Sequence, residues 1–206
     1  MFITFEGIEG SGKSTQRELL IDYLKEQGIP FVVTREPGGT EFGIHLREVL
    51  LSKDSRITTN RSELFLFAAD RTEHINQIIK PALKEGKWVI CDRYIDSTFA
   101  YQYGGRQHLK EDILDIIRLT DAPEPNLTFF MDVSVEEGLK RASSRGVLDR
   151  FEQETLDFHH RVRDAYLECF KLNPKRMVRI AGEGKAPEEI FKFIENEINS
   201  RSSVIK

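Results

Sequence analysis

One nine-residue run, Gly7-Ile8-Glu9-Gly10-Ser11-Gly12-Lys13-Ser14-Thr15, constrains the fold of this chain more than any other stretch. It satisfies G-x-x-x-x-G-K-[ST], follows the apolar segment Phe2 to Phe5, and opens an amphipathic stretch, so it reads as strand, phosphate-binding loop and helix in succession. The reason is geometric. Gly7, Gly10 and Gly12 permit torsions and close approaches that a Cβ would obstruct, so successive amides can turn inward around phosphate oxygens. The helix N-terminus adds partial positive charge. Lys13 is placed to reach β- and γ-phosphates, and the Ser14 hydroxyl to ligate Mg²⁺. The expected nucleotide-binding set is Gly7, Gly10, Ser11, Gly12, Lys13, Ser14 and Thr15.

The remaining periodicity says what kind of sheet carries this loop. Strand patterns recur at Phe2 to Phe5, Phe31 to Thr34, Trp88 to Cys91, Leu127 to Val133 and Met177 to Ile180. Helical spacing fills the intervals Lys13 to Gln27, Gly43 to Leu51, Ser62 to Ile79, Ile95 to Tyr103, Glu111 to Asp121, Ser134 to Ser144, Glu152 to Leu172 and Pro187 to Ile198. Ser134-Val135-Glu136-Glu137 matches a capping box directly after a strand. The pattern predicts an α/β fold: a P-loop NTPase-type three-layer α/β/α sandwich with a five-stranded parallel sheet and a helical lid. At 206 residues, without repeats or a Pro/Gly/Ser linker, a single domain spanning 1–206 is expected.

Charge and cysteine content narrow the partners. A net charge of −4 provides no general field for nucleic acid or an anionic membrane, so anions must be held by local clusters. Cys91 and Cys169 form no CxxC pair, which speaks against disulfides or a zinc site and for a reducing, cytoplasmic setting. Glu6 and Glu9 interrupt the apolar start, against a signal peptide, and no apolar run reaches spanning length. His45, His74, His108, His159 and His160 show no ligand spacing and receive no role.

A second anion site is expected opposite the loop, because ligands of parallel sheets lie at the carboxyl ends of the strands. Arg35-Glu36-Pro37-Gly38-Gly39-Thr40 ends the second strand and Asp92-Arg93-Tyr94 ends the third. Planar guanidinium groups suit phosphate, and Asp92 is placed like a carboxylate that holds Mg²⁺ directly or through water. Taken singly, either arginine could instead serve a surface ion pair.

With these pieces in order, the chain resembles the thymidylate kinase family over nearly its whole length. The likeness rests on E-G-x-E-G-S-G-K-S, T-R-E-P-G-G-T, L-F-A-A-D-R, P-A-L-K-E-G, C-D-R-Y-I-D-S-T-x-A-Y-Q and L-D-R-F-E. It implies transfer of the γ-phosphate of MgATP to the 5′-phosphate of dTMP, in the supply of dTTP, by a homodimer. It also implies that Phe67 stacks on thymine and Arg71 donates to its O4. Thr98, Tyr101 and Gln102 would then line the deoxyribose and base pocket, with Arg47 near the acceptor and Glu9 near the sugar 3′-hydroxyl. From residues alone, Phe67 could be core and Glu9 a solvated loop residue. Around 141–151, Arg141, Arg145 and Arg150 suggest a closing lid, with Arg141 beside ATP. The resemblance is to the bacterial branch, whose lid supplies the catalytic arginine, so Lys13, Arg93 and Arg145 are the expected catalytic groups.

Three readings stay open on sequence. A deoxynucleoside kinase shares the loop but needs a carboxylate to deprotonate a sugar hydroxyl, and the arginine pair disfavours it. Another pyrimidine monophosphate would be the acceptor if Arg71 does not face the base. A non-catalytic ATP-binding regulator would keep the loop alone, whereas a guanine-reading switch lacks its N/T-K-x-D and D-x-x-G elements here.

Overall fold

The computed structural model describes residues 1–57, 59–144, 146 and 148–202. Its strands are β1 (Phe2–Glu6), β2 (Phe31–Arg35), β3 (Trp88–Asp92), β4 (Leu127–Asp132) and β5 (Met177–Ala181). They form one parallel sheet in the order β2-β3-β1-β4-β5. Each lies within one residue of its expected bounds. β1 and β4 are covered on both faces and buried along their whole length, and the hydroxyls of their buried Thr4 and Thr128 satisfy each other at 2.7 Å.

Alternation along the strands separates the two halves of the core. Ile3, Phe5, Phe129 and Met131 meet Leu20 and Leu24 of α1 (Lys13–Glu26) and Ile190, Ile194 and Ile198 of α9 (Pro187–Ser202). On the opposite face, Phe2 packs with Ile75, Ile79 and Tyr94, while Phe130 stacks on Tyr166 with ring centroids 5.3 Å apart. Tyr166 belongs to α8 (Leu156–Leu172), beside α7 (Val135–Ser143) and α6 (Lys110–Leu119).

Two departures from the expected helices, and one in how a helix is capped, have identifiable causes. The stretch expected as one helix to Ile79 is α3 (Asn60–His74), a π-helical turn Ile75–Ile79, and α4 (Lys80–Lys84). Pro81 has no N–H to donate, and the widened turn before it, with Lys80 N bonded to Ile75 O, lets the helix continue past the ring. Likewise α5 (Ile95–Thr98) runs on as a π-helix over Phe99–Gly105.

The lid is the second departure. Past the end of α7 at Ser143 its described residues form bends and turns, not helix, and α8 begins at Leu156, later than Glu152. Asp149 Oδ1 accepts from the amides of Phe151 (2.8 Å) and Glu152 (2.9 Å), which diverts them from helix, and Thr155 then caps α8.

The capping box is the third. Ser134 Oγ does accept from Glu137 N at 3.4 Å, but the Ser134 amide donates to Glu183 at 3.0 Å instead of to Glu137. Glu137 turns away to Arg141 at 2.6 Å. A residue 49 positions distant thus completes the cap, which spacing alone cannot reveal.

Candidate active site

Sheet register brings the site together. Arg35 of β2 pairs level with Asp92 of β3, and Asp92 level with Phe5 of β1, so the chain leaves three adjacent strands at one height. At that edge opens a cleft of about 610 Å³ lined by the phosphate loop, Arg35, Arg47, Asp92, Arg93 and the lid.

Gly7, Gly10 and Gly12 have φ values of 137°, 68° and 95°. A Cβ on Gly10 would lie 2.1 Å from Gly138 O, and one on Gly138 would lie 2.6 Å from Glu9 O. The loop therefore rests directly on α7, and Gly138 is a supporting residue that no motif announced. Lys13 folds its ammonium back onto Gly7 O (3.0 Å) and Ile8 O (2.8 Å), near Ser11 Oγ at 3.4 Å. Burial, with the positive charge of Arg93, pushes its pKa down to about 8 despite Asp92, Glu9 and Glu6. Ser14 and Thr15 are exposed at the mouth of the cleft.

Arg93 lies at the root of both halves. Its Nη1 donates to Gly7 O (2.9 Å) and Tyr166 OH (3.0 Å), its Nη2 pairs with Glu9 at 2.9 Å, and the group sits 4.9 Å above the Tyr101 ring. The backbone there has φ 65°, a left-handed conformation unusual for a side-chain-bearing residue and typical of functional turns. Burial pushes the Glu9 carboxyl up, but Arg93, Lys13 and the Tyr101 hydroxyl outweigh it and hold the pKa below the ordinary value. One Glu9 oxygen, Oε2, stays buried without a partner.

Across the cleft, Arg47 of α2 (Glu41–Leu51) donates to Pro37 O at 3.0 Å. Arg35 makes no ion pair with any described residue. Burial lowers the pKa of Arg47, and the charges of Arg35 and Arg93 lower it further. Three guanidinium groups thus crowd one place, the signature of a site built for a polyanion.

Phe67 is half-buried, packs 6.0 Å from Phe151 and still lines the cleft, so packing in the core does not withdraw it from the cleft. Arg71 is buried with Nη1 unpartnered. Thr98, Tyr101 and Gln102 are all buried at the cleft wall, on α5 and its π-helical continuation. Arg141 flanks the loop and pairs with Glu137.

Two lid arginines part company. Arg150 is bound to Leu50 O (2.9 Å) and Glu63 (2.8 Å), and Glu63 also holds Arg106 at 3.1 Å. It is committed to anchoring the lid on α2 and α3. Arg145 lies outside the described residues.

A divalent cation would find few protein ligands among the described residues of this cleft. Among the described residues no group of three or more His, Cys, Asp or Glu could enclose a metal. An exposed Ser14 hydroxyl and the Asp92 carboxylate are what Mg²⁺ needs when phosphates and water supply its other ligands. Sequence reasoning missed Arg17, whose Nη1 lies 3.2 Å from Asp92 Oδ2; its position four residues after Lys13 on α1 was the available signal. It also missed Glu6, buried beneath the loop, which accepts from Tyr94 N (2.7 Å), Ser97 Oγ (2.6 Å) and Tyr166 OH (3.0 Å). Burial and Asp96 raise its pKa to about 7 against Ser97, Arg93 and Tyr166.

The chain is similar to known proteins over nearly its whole length. The thymidylate kinase family model matches residues 5–194. A thymidylate kinase of Maridesulfovibrio salexigens is 44% identical over 98% of this chain and 96% of its own length. One of Afipia carboxidovorans is 46% identical over 97% and 90%. The crystal structure of thymidylate kinase from Ehrlichia chaffeensis superposes with a TM-score of 0.80 at 36% identity, covering 96% of this chain and 98% of that one.

Proposed function

We propose, for a chain that belongs to the thymidylate kinase family and phosphorylates dTMP to dTDP with ATP, that the cleft works by holding two polyanions in line between facing cation sites. The supporting observation is the convergence of Arg35, Arg47 and Arg93 opposite the phosphate loop. The loop amides and Lys13 take the phosphates of ATP. Arg35 and Arg47 take the acceptor 5′-phosphate, and Arg93 stands between the two. Phe67 and Arg71 hold thymine, and Glu9, with Tyr101, meets the sugar.

The attacking atom is an oxygen of the acceptor phosphate, already deprotonated because its second pKa is about 6. No general base is required. Catalysis consists of alignment and of spreading developing negative charge over Lys13 and Arg93. When bound through Ser14 and Asp92, Mg²⁺ supplies further neutralisation of the phosphate oxygens. Arg145 is the lid guanidinium for the transferring group, since Arg150 and Arg141 are already engaged. Arg145→Ala is expected to lower kcat about 10²-fold while the KM for dTMP moves less than threefold. Equal losses in both would make Arg145 a binding residue.

An ADP-release assay across thymidine, dTMP, dCMP and dUMP tests the acceptor reading. Thymidine turned over as fast as dTMP would refute the arginine site.

Lys13 adds a pH signature. Its lowered pKa of about 8 must rise once triphosphate surrounds it, so binding ATP takes up a proton from about pH 8 upward and affinity falls as pH climbs. Titration calorimetry at pH 8.5 in two buffers of different ionisation enthalpy should show net uptake. Identical heats would mean Lys13 is already fully charged.

The working unit we propose is a homodimer in the cytoplasm. Phe42 and Val49 of α2 and Phe65 of α3 are each about half exposed, an apolar area that a second copy would cover. Light scattering at the mass of one chain would exclude it. No helix among the described residues is long and apolar enough to cross a membrane.

A further inference from the structure

The guanidinium of Arg71 is locked from behind. Glu36 Oε2 lies 2.8 Å from both Nε and Nη2, and Nη2 also donates to Tyr94 O at 3.0 Å. Only Nη1 is left, buried and without a partner, on a residue that lines the cleft. Glu36 is itself held. Its other oxygen, Oε1, accepts from His74 Nδ1 at 2.9 Å, and His74 Nε2 lies 2.6 Å from Thr34 Oγ1. Facing a carboxylate, Nδ1 must be the donor, so the ring donates its N–H to Glu36 while Nε2 is held by the Thr34 hydroxyl. The imidazole is completely buried, and a Cβ on Gly39 would lie 2.4 Å from it, so the ring cannot turn away.

We propose that Glu36 and His74 are specificity-determining positioning residues, which clamp Arg71 so that the pocket presents only N–H donors from Nη1 at the position where the base carries its 4-substituent. The proposal rests on the base-site reading given above for Arg71. A carbonyl there, as in thymine or uracil, satisfies the buried donor. The amino group of cytosine is itself a donor, so it leaves two desolvated donors opposed. An unclamped guanidinium could rotate or withdraw and would tolerate either base. The Thr34–His74–Glu36 chain prevents that, and it reaches Arg71 from β2, which also carries the acceptor-phosphate arginine Arg35 at its end. Base reading and phosphate gripping are thus set by the same strand.

The experiment is the ratio of kcat/KM for dTMP over dCMP in full-length variants, with melting temperature recorded in parallel. Arg71→Ala serves as reference and should collapse the ratio at least about tenfold. Glu36→Gln, which keeps shape but loses the charged clamp, should lower it by about tenfold, the worth of a charge-assisted hydrogen bond, mainly through better use of dCMP. His74→Leu should lower it about threefold. His74→Asn, whose amide can still donate to Glu36, should restore it to within about twofold of the parent. A purely structural role would lower the melting temperature of both His74 variants and leave the ratio unmoved.

If Arg71→Ala collapses the ratio while Glu36→Gln and His74→Leu leave it at the parent value, the positioning proposal is overturned and the base-site reading stands. If Arg71→Ala itself leaves the ratio unchanged, the base-site reading fails, and the proposal with it. Should Glu36→Gln not fold, the His74 pair decides alone.

Discussion

Lys13→Ala should lose roughly 10²- to 10³-fold in kcat while its melting temperature without nucleotide holds or rises. The kinetic loss follows from position: this is the ammonium nearest the loop carbonyls, 2.8 Å from Ile8 O, and it must swing from them to the β- and γ-phosphates. The stability expectation follows from the sign of the pKa shift. A lysine whose folded pKa is lowered to about 8 from an unfolded value near 10.5 binds its proton more weakly when folded. It therefore detracts from stability at every pH below about 8, and that penalty fades as pH rises toward 10.5. Removing the group at pH 7 relieves the penalty and takes a donor from Ile8 O, while Gly7 O keeps the one from Arg93. The upward shift in melting temperature that ATP gives the parent should shrink at the same time. Steady-state kinetics with thermal melts, with and without MgATP, checks all three statements. A variant that melts many degrees lower would show Lys13 to be a structural brace.

Arg93→Ala should do the opposite to stability. Here the guanidinium neutralises Glu9, bonds the loop through Gly7 O and ties both to α8 through Tyr166. Taking it away strands a buried carboxylate, which typically costs about 3 to 5 kcal/mol. It also removes the cation that we propose stands between the two phosphate sites, so turnover should fall by at least about 10²-fold. Arg93→Lys separates these effects. A lysine can still meet Glu9 as a point charge and recover part of the stability, but one ammonium cannot reproduce the fork that reaches Gly7, Tyr166 and Glu9 together. Stability should return further than activity. A lysine variant with parental kcat would mean that charge alone matters at this position.

The same residues show where sequence was sufficient. The order of glycines, Lys13 and Ser14 is a local pattern, and local patterns determine local backbone, so the phosphate loop was legible without any tertiary information. So were the five strands, as short segments rich in apolar residues, although only β1 and β4 are buried along their whole length. Arg35 and Arg93 were legible too, since a parallel sheet places the ends of its strands along one edge. Resemblance supplied Phe67, Arg71, Thr98, Tyr101 and Gln102, all of which the fold brings to the cleft wall. Lid structure was less legible. Arg150 reads as one of three similar basic residues until Glu63, 87 positions earlier, is seen to hold it.

What only the tertiary structure decided is which polar group answers which. Glu183 completes the cap at Ser134, Gly138 yields room for the loop, Glu6 braces Tyr94 and Ser97, and His74 holds Glu36. Each pairing joins residues tens of positions apart. For the buried pairings of Glu6 and of His74 the physical reason is the same: a buried donor or acceptor must find a partner, but any of several side chains could serve, and periodicity records only that a side chain points inward. Sequence thus determined the loop, the sheet and the chemistry at its edge. The packing of helices against that sheet chose the partners that hold the chemistry in place.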